Sequence, residues 1–283
     1  MTRHVRLREF LVGVEGLALL RHLLDGDDET AAARIDEVRR IVGTDEEPTY
    51  GLGSDVPELD PRAGYARWAA TYDRPGNPLV SVEQPAVWSL LGDLPPGRAL
   101  DAACGTGRHS GRLVELGHDV TGVDASPEML ELASARVPGA RFLEGDLHRL
   151  SVEDGEFDLV VCALALGHCA DLQPPVTELA RAVRRGGHVV LSDLHPAMSI
   201  AGGQALFESV DGNLAFVREH VHLHGEFLDA FGACELDVVR CIEPRFGPEE
   251  AGMQGMAAQF IPDATRAAFG ALPGALIWQL ERR

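Results

Sequence analysis

Apolar and polar positions change their spacing along the chain. Over residues 4–24 and 28–42 they fall at helical intervals: Leu7, Leu11, Val14 and Ala18 make one stripe, and Ala32, Ile35, Val38 and Ile41 a second. Asp28 ahead of Glu29-Thr30 suits a helix cap, and Gly43 a stop. Thr44 to Gly64 is acidic and rich in Gly and Pro, the composition of a linker. Residues 1–60 are therefore expected to form a helical appendage and linker. Its stripes serve packing or dimerisation in one reading, and a lid over a substrate pocket in another.

From about residue 97 the pattern alternates. Apolar runs predict strands over Arg98–Ala102, His118–Val123, Ala140–Leu143, Phe157–Ala163 and His188–Leu191. Helical spacing predicts helices over Thr106–Leu116, Ser126–Ala135 and Pro175–Arg185, the last closed by Gly186-Gly187. Strands alternating with helices imply a parallel sheet wound on both faces, and near-continuous apolar runs fit strands covered on both sides. The tail differs: a helix over Glu226–Ala233, a strand over Leu236–Ile242, a Pro/Gly-rich excursion with a helix, and a last strand over Ala275–Leu280. Residues 196–225 form an insertion, with two short strands predicted around the Asp211-Gly212 turn.

Charge narrows the partners. The 283 residues carry a formal net charge of −19, which repels phosphate backbones and anionic membranes, so neither nucleic acid nor a lipid surface is expected. Arg3, Arg6 and Arg8 before Phe10–Val14 imitate a signal peptide, but Glu15 interrupts the run and no small-residue cleavage site follows. No run approaches the ~18 apolar residues of a membrane span. The five cysteines are odd in number and form no C-x-x-C pair, which suits a reduced, cytoplasmic chain.

The chemistry starts at Leu100-Asp101-Ala102-Ala103-Cys104-Gly105-Thr106-Gly107, a strand entering a glycine turn that opens a helix. A dinucleotide site wants a third glycine, yet Arg108, His109 and Ser110 follow. Asp101 argues further against a pyrophosphate. Two like charges about 4 Å apart at an effective dielectric of about 20 cost about 4 kcal/mol. An ammonium or sulfonium is the better neighbour for this acid. Asp124 ends the second strand, where a carboxylate can accept from ribose hydroxyls, and Asp146 follows the third, where one can accept from an adenine amine. Three acids after three successive strands share the carboxyl edge, where open α/β sheets bind ligands.

With these motifs, and with Gly122-Val123-Asp124, Gly145-Asp146-Leu147, Phe157–Val161 and Arg184–Gly187, the chain from about Tyr65 onward resembles the class I S-adenosylmethionine-dependent methyltransferases. It resembles their small-molecule type, which includes the quinone-biosynthesis methylases. The resemblance implies a Rossmann-like, doubly wound, mostly parallel seven-stranded sheet with a reversed last strand, in a methyltransferase domain spanning residues 61–283. It implies S-adenosylmethionine as cofactor. Besides Asp101, Asp124 and Asp146, the implied contacts from the turn are Ala103, Gly105, Thr106 and Gly107. Further along the edge they are Ala125, Met129, Gly145, Leu147 and Ala163. Tyr65 and Tyr72 look like the aromatic helix that closes over the cofactor. Ala103 departs from the family, which has glycine there.

The acceptor is expected to be a small molecule methylated at oxygen or nitrogen. An acceptor that arrives protonated needs a base. His168 and His195 lie just past strand ends on the active edge and are the candidates, with His195 favoured because Pro196 fixes the chain beyond it. His220, His222 and His224 share one face of a strand, which raises zinc; the reading adopted is a polar strand face, with no metal. No Asn/Asp-Pro-Pro-Tyr/Phe run follows the fourth strand, which by family resemblance argues against methylation of nucleic-acid bases. The alternatives are a nicotinamide-dependent oxidoreductase and a cofactor-binding protein of the same fold that does not methylate.

Overall fold

The computed structural model describes residues 1–43 and 53–283. Its strands are β1 (Thr2–Arg6), β2 (Gly53–Leu59), β3 (Arg98–Ala102), β4 (Asp119–Asp124), β5 (Arg141–Glu144), β6 (Phe157–Ala163), β7 (Val183–Leu194), β8 (Ala205–Glu208), β9 (Leu214–Val217), β10 (Leu236–Ile242) and β11 (Ala275–Arg282). The helices are α1 (Leu7–Arg21), α2 (Asp28–Gly43), α3 (Pro61–Tyr72), α4 (Pro78–Gly92), α5 (Arg108–Glu115), α6 (Pro127–Arg136), α7 (Gln173–Ala182), α8 (Pro196–Ile200), α9 (His224–Ala233), α10 (Pro248–Ala251), α11 (Ala257–Phe260) and α12 (Pro262–Phe269).

The main sheet has seven strands in the order β10-β11-β7-β6-β3-β4-β5. Only β11 runs antiparallel to its neighbours, the reversed last strand of the Rossmann-like methyltransferase fold. Alternate side chains go to opposite faces. In β6, Val160 and Cys162 join a core with Leu179, Phe231 and Trp278, while Leu159 and Val161 join one with Val87, Leu91 and Leu113. Both faces are therefore covered by helices, as the unbroken apolar runs require. The strand order turns around β3, so a crevice forms at the carboxyl ends of β3 and β6.

Several expectations are corrected here. Thr2–Arg6 is a strand, not helix, and pairs antiparallel with β2. Of the linker Thr44–Gly64, residues 44–52 lie outside the described residues, and Gly53–Leu59 is a strand. Helix α7 ends at Ala182, and β7 begins at Val183 rather than His188. Val183 takes the extended backbone of a β-branched residue and pairs with Phe157, so the Arg-Gly run after it belongs to the strand. The excursion before β11 holds three short helices in place of one.

The first N-terminal stripe is buried within the chain from Leu11 to Ala18, whereas of the second only Ile41 is buried and Ala32 and Ile35 are exposed. Leu11, Val14, Ala18 and Ile41 pack against Phe246, Ile261, Ala264 and Phe269 of the C-terminal excursion. Strands β1 and β2 join β9 and β8 in a second, four-stranded sheet, so the N-terminus and the insertion build one unit. Helix α3 lies on that sheet. A Cβ on Gly64 would stand 2.2 Å from Val217 Cγ2, and Trp68 stacks on Phe207 with ring centres 4.8 Å apart. No helix among the described residues is long and apolar enough to cross a membrane.

At the departure from the family pattern, Ala103 holds φ at 57°, a left-handed conformation that crowds a Cβ. Ala103→Gly is expected to stabilise the fold by about 1 kcal/mol, read as a higher denaturant midpoint at unchanged slope.

Candidate functional site

The glycine turn joins β3 to α5. Gly105 and Gly107 hold φ at 53° and 78°, and Gly107 forms the cap of α5. A Cβ on Gly107 would stand 3.2 Å from Ala133, whereas one on Gly105 would meet nothing within 4 Å, so the turn opens onto free space there. Asp124, at the end of β4, reaches back to this turn. Its Oδ2 accepts from the Gly105 N–H at 2.8 Å and its Oδ1 from the Ser126 N–H at 2.9 Å. A carboxylate has about four acceptor directions, so half remain for a ligand. Burial raises its pKa against those two hydrogen bonds.

Asp101 stands behind the turn rather than at its rim. It is 1% exposed, and its Oδ2 accepts from Ser110 Oγ at 2.6 Å. Burial pushes its carboxyl up, opposed by His109 and Ser110. Asp146 is exposed on the far side of the edge. Its Oδ1 accepts the His148 N–H at 2.7 Å, which with the His148 ring lowers its pKa. Ala125, Gly145, Leu147 and Ala163 are half-buried on the same edge, while Met129 is fully buried under α6.

Helix α3 closes over this edge. Tyr65 and Tyr72 have ring centres 5.9 Å apart, and burial pushes the Tyr72 phenol up to about 12 and the Tyr65 phenol well above its ordinary value. The end of α3 is latched to the turn: Thr106 Oγ1 donates to Asp73 at 3.0 Å, and Arg136 donates to both.

The two candidate histidines are placed differently. His168 sits at the carboxyl edge beyond β6. Its Nδ1–H donates to the Arg218 carbonyl at 2.8 Å, which leaves Nε2 as the acceptor of the Tyr65 hydroxyl at 2.7 Å. Burial lowers its pKa. His195 caps α8: its Nδ1 accepts the Ala197 N–H at 3.1 Å, so its Nε2 carries the proton and donates to Glu243 at 2.9 Å. Both of its nitrogens are thus engaged. The three histidines of the insertion do not converge. His222 bonds the Cys169 carbonyl, and His224 joins Glu243 at 3.0 Å. His195, His224 and Glu243 bring their polar atoms within 4.8 Å of one another. With the Nε2 proton of His195 fixed by the cap, the trio is joined by hydrogen bonds, where a metal would need that nitrogen bare.

Three acids of this region escaped the sequence reading. Glu83 of α4 is 0% exposed and ties α5 to β7: Arg108 reaches its Oε2 at 2.8 Å, and Ser192 Oγ and His109 Nε2 approach its Oε1 at 2.7 and 3.2 Å. Asp193 and Glu219 meet beside His168. Asp193 follows an apolar run at a strand end, the same signal that marked Asp124; Glu83 and Glu219 lie in segments with no local signal.

Comparison with known proteins points to the same fold. Residues 100–191 match the methyltransferase domain family. A malonyl-[acyl-carrier protein] O-methyltransferase of Serratia marcescens is 35% identical over 153 residues, 53% of this chain and 58% of that one. A demethylmenaquinone methyltransferase of Beutenbergia cavernae is 33% identical over 173 residues, 61% of each chain. The chain thus spans about three fifths of the length of these relatives. Among solved structures, an S-adenosylmethionine-dependent methyltransferase from Mesorhizobium loti aligns at TM-score 0.54 and 22% identity, covering 71% of this chain and 98% of that one. The fold is that of the class I methyltransferases.

Burial alone would raise the Glu83 carboxyl, but His109, Arg108 and Ser192 outweigh it and hold it at about 2, below its ordinary 4.5. The folded chain therefore binds this proton less readily than the unfolded one. Its stabilisation is complete above about pH 4.5 and is lost as pH falls toward about 2. The difference corresponds to roughly 3 kcal/mol. Glu83→Gln is expected to lose about that much stability at pH 7, and the gap to wild type in denaturant unfolding should narrow at pH 3.

Proposed function

We propose that the chain is an S-adenosylmethionine-dependent methyltransferase acting on an oxygen or nitrogen of a small-molecule acceptor. The observation that carries this reading is Asp124. Its half-satisfied carboxylate is fixed on the Gly105 N–H, where the turn opens onto free space. An anionic pyrophosphate is a poor fit beside Asp124 and Asp101, and the nearest guanidinium groups, Arg108 and Arg136, are already held by Glu83 and Asp73. A nucleoside that carries cations and no phosphate fits. When bound, S-adenosylmethionine supplies a methyl group activated by a sulfonium.

The residues divide the work as follows. Asp124 receives ribose hydroxyls and Asp146 the adenine amine. Asp101 supplies negative potential behind the turn for the ammonium and sulfonium. Tyr65 and Tyr72 exclude water, which strengthens these interactions. On the acceptor side, His168 is the base. Its Nδ1–H is held by the Arg218 carbonyl, so Nε2 takes the acceptor's proton once the acceptor replaces the Tyr65 hydroxyl. Glu219 Oε1, 3.6 Å away, then faces the imidazolium. His195, with both nitrogens engaged, shapes the start of α8 instead.

S-adenosylhomocysteine is expected to raise the melting temperature, and NAD(P) to leave it unchanged. Asp124→Ala should weaken S-adenosylhomocysteine binding at least tenfold by titration calorimetry, in line with the loss of charge-assisted hydrogen bonds. Stabilisation by NAD(P) alone would make the chain an oxidoreductase.

A further inference from the structure

Beside His168, at the carboxyl edge beyond β6 and β7, two acids are buried together. Asp193, next to last in β7, is 6% exposed. Its Oδ1 accepts the Leu194 N–H at 2.9 Å, and its Oδ2 is buried with no hydrogen-bond partner among the described residues. The Glu219 side chain, two residues past β9, is 10% exposed. A Cβ on Gly167 would stand 2.0 Å from Glu219 Oε2 and 3.0 Å from Asp193 Oδ1, which puts those oxygens within 5 Å of each other. Only glycine at 167 leaves room for them.

Among the described residues no arginine pairs with either acid. The guanidinium of Arg218 is turned away onto both oxygens of Glu58, at 2.7 and 2.6 Å. His168 is Glu219's ion-pair neighbour, and its neutral form is the one that gives Nδ1–H to a carbonyl and takes the Tyr65 hydroxyl on Nε2. Burial pushes both carboxyls up, and the charge of Asp193 adds to the rise at Glu219. A buried acceptor oxygen with no donor is costly, and two carboxyls with no cation are costlier. A ligand with several N–H donors and a positive charge relieves both costs. A hydroxyl brings one donor and no charge, and an anion adds to the problem. The phenol of Tyr65 is pushed up by burial first, and then by Tyr72, Glu219, Asp124 and Asp193, so it feels acids of both groups. A cavity of about 450 Å³, lined among others by Glu58, His168, Arg218 and His220, lies beside His168, with Asp193 and Glu219 behind its lining rather than in it.

We propose that Asp193 and Glu219 are the recognition site for the ammonium group of an amine-bearing acceptor. The proposal rests on the methyl-transfer reading for the word acceptor; the ammonium site stands on the pair itself.

Methylammonium chloride is the smallest probe for such a site. At 100 mM it is expected to raise the melting temperature of the wild-type chain by about 2–4 °C over sodium chloride at equal ionic strength. The double variant Asp193→Asn/Glu219→Gln should lose that difference while binding S-adenosylhomocysteine within threefold of wild type. Gly167→Ala, which drives Glu219 out of place, should lose it too. No rise in wild type, or an equal rise in the double variant, overturns the proposal. So does stabilisation by 1 mM Mg²⁺ in place of methylammonium, which would make the pair a metal site. A tenfold loss of S-adenosylhomocysteine affinity in the double variant also overturns it, because the pair would then serve the cofactor. If wild type responds to methylammonium and ignores S-adenosylhomocysteine, the methyl-transfer reading fails and the ammonium site remains.

Discussion

The buried Glu83 carboxylate is the interaction on which the arrangement of the edge depends. It holds the first turn of α5 through Arg108 and His109, and the end of β7 through Ser192. The turn lies on one side of the crevice, and β7 carries Asp193 on the other. A loop and a strand end that diverge in sequence are thus fixed relative to each other by one group. The cost of burying it is offset only because three partners converge on it, and a partly satisfied carboxylate in that place would favour separation.

Around this anchor the carboxyl edge concentrates buried negative charge. Asp101, Asp124, Asp193 and Glu219 all have carboxyls raised by burial. On a surface, acids are cheap and say little. Enclosed in low dielectric, each makes the site more receptive to a cation and less to an anion. The two halves of the edge differ in how the acids are satisfied. Asp124 is oriented by backbone N–H groups at the turn, while the Asp193 pair keeps an oxygen without a donor.

The second sheet gives these acids their enclosure. Strand β2, from before the domain, pairs in parallel with β9 of the insertion, and α3 lies across the result. The aromatic helix is therefore held from behind by Phe207 and Val217 and from the front by the contact of Asp73 with Thr106 and Arg136. Both Tyr65 and Glu219 owe their positions to this unit.

The main sheet, and the residues proposed to line its cofactor side, were legible in the sequence alone. Apolar runs such as Leu159–Cys162 can be nothing but strands covered on both faces, and the turn at Gly105 with acids after β3, β4 and β5 follows directly from local spacing. Ala103 stood out only as a departure from the family resemblance, and the structure supplied the reason, a left-handed backbone at that point. The residues proposed for the acceptor side emerged only from the fold. Strand β1 was hidden because a strand that pairs with a distant segment needs no helical or alternating signal of its own. The role of His195 was hidden because which nitrogen of an imidazole is free depends on a helix start and on Glu243, far away in the chain. Glu83, Asp193 and Glu219 come from α4, from the end of β7 and from the insertion. Their burial and proximity are properties of packing between elements, which no local pattern of residues encodes.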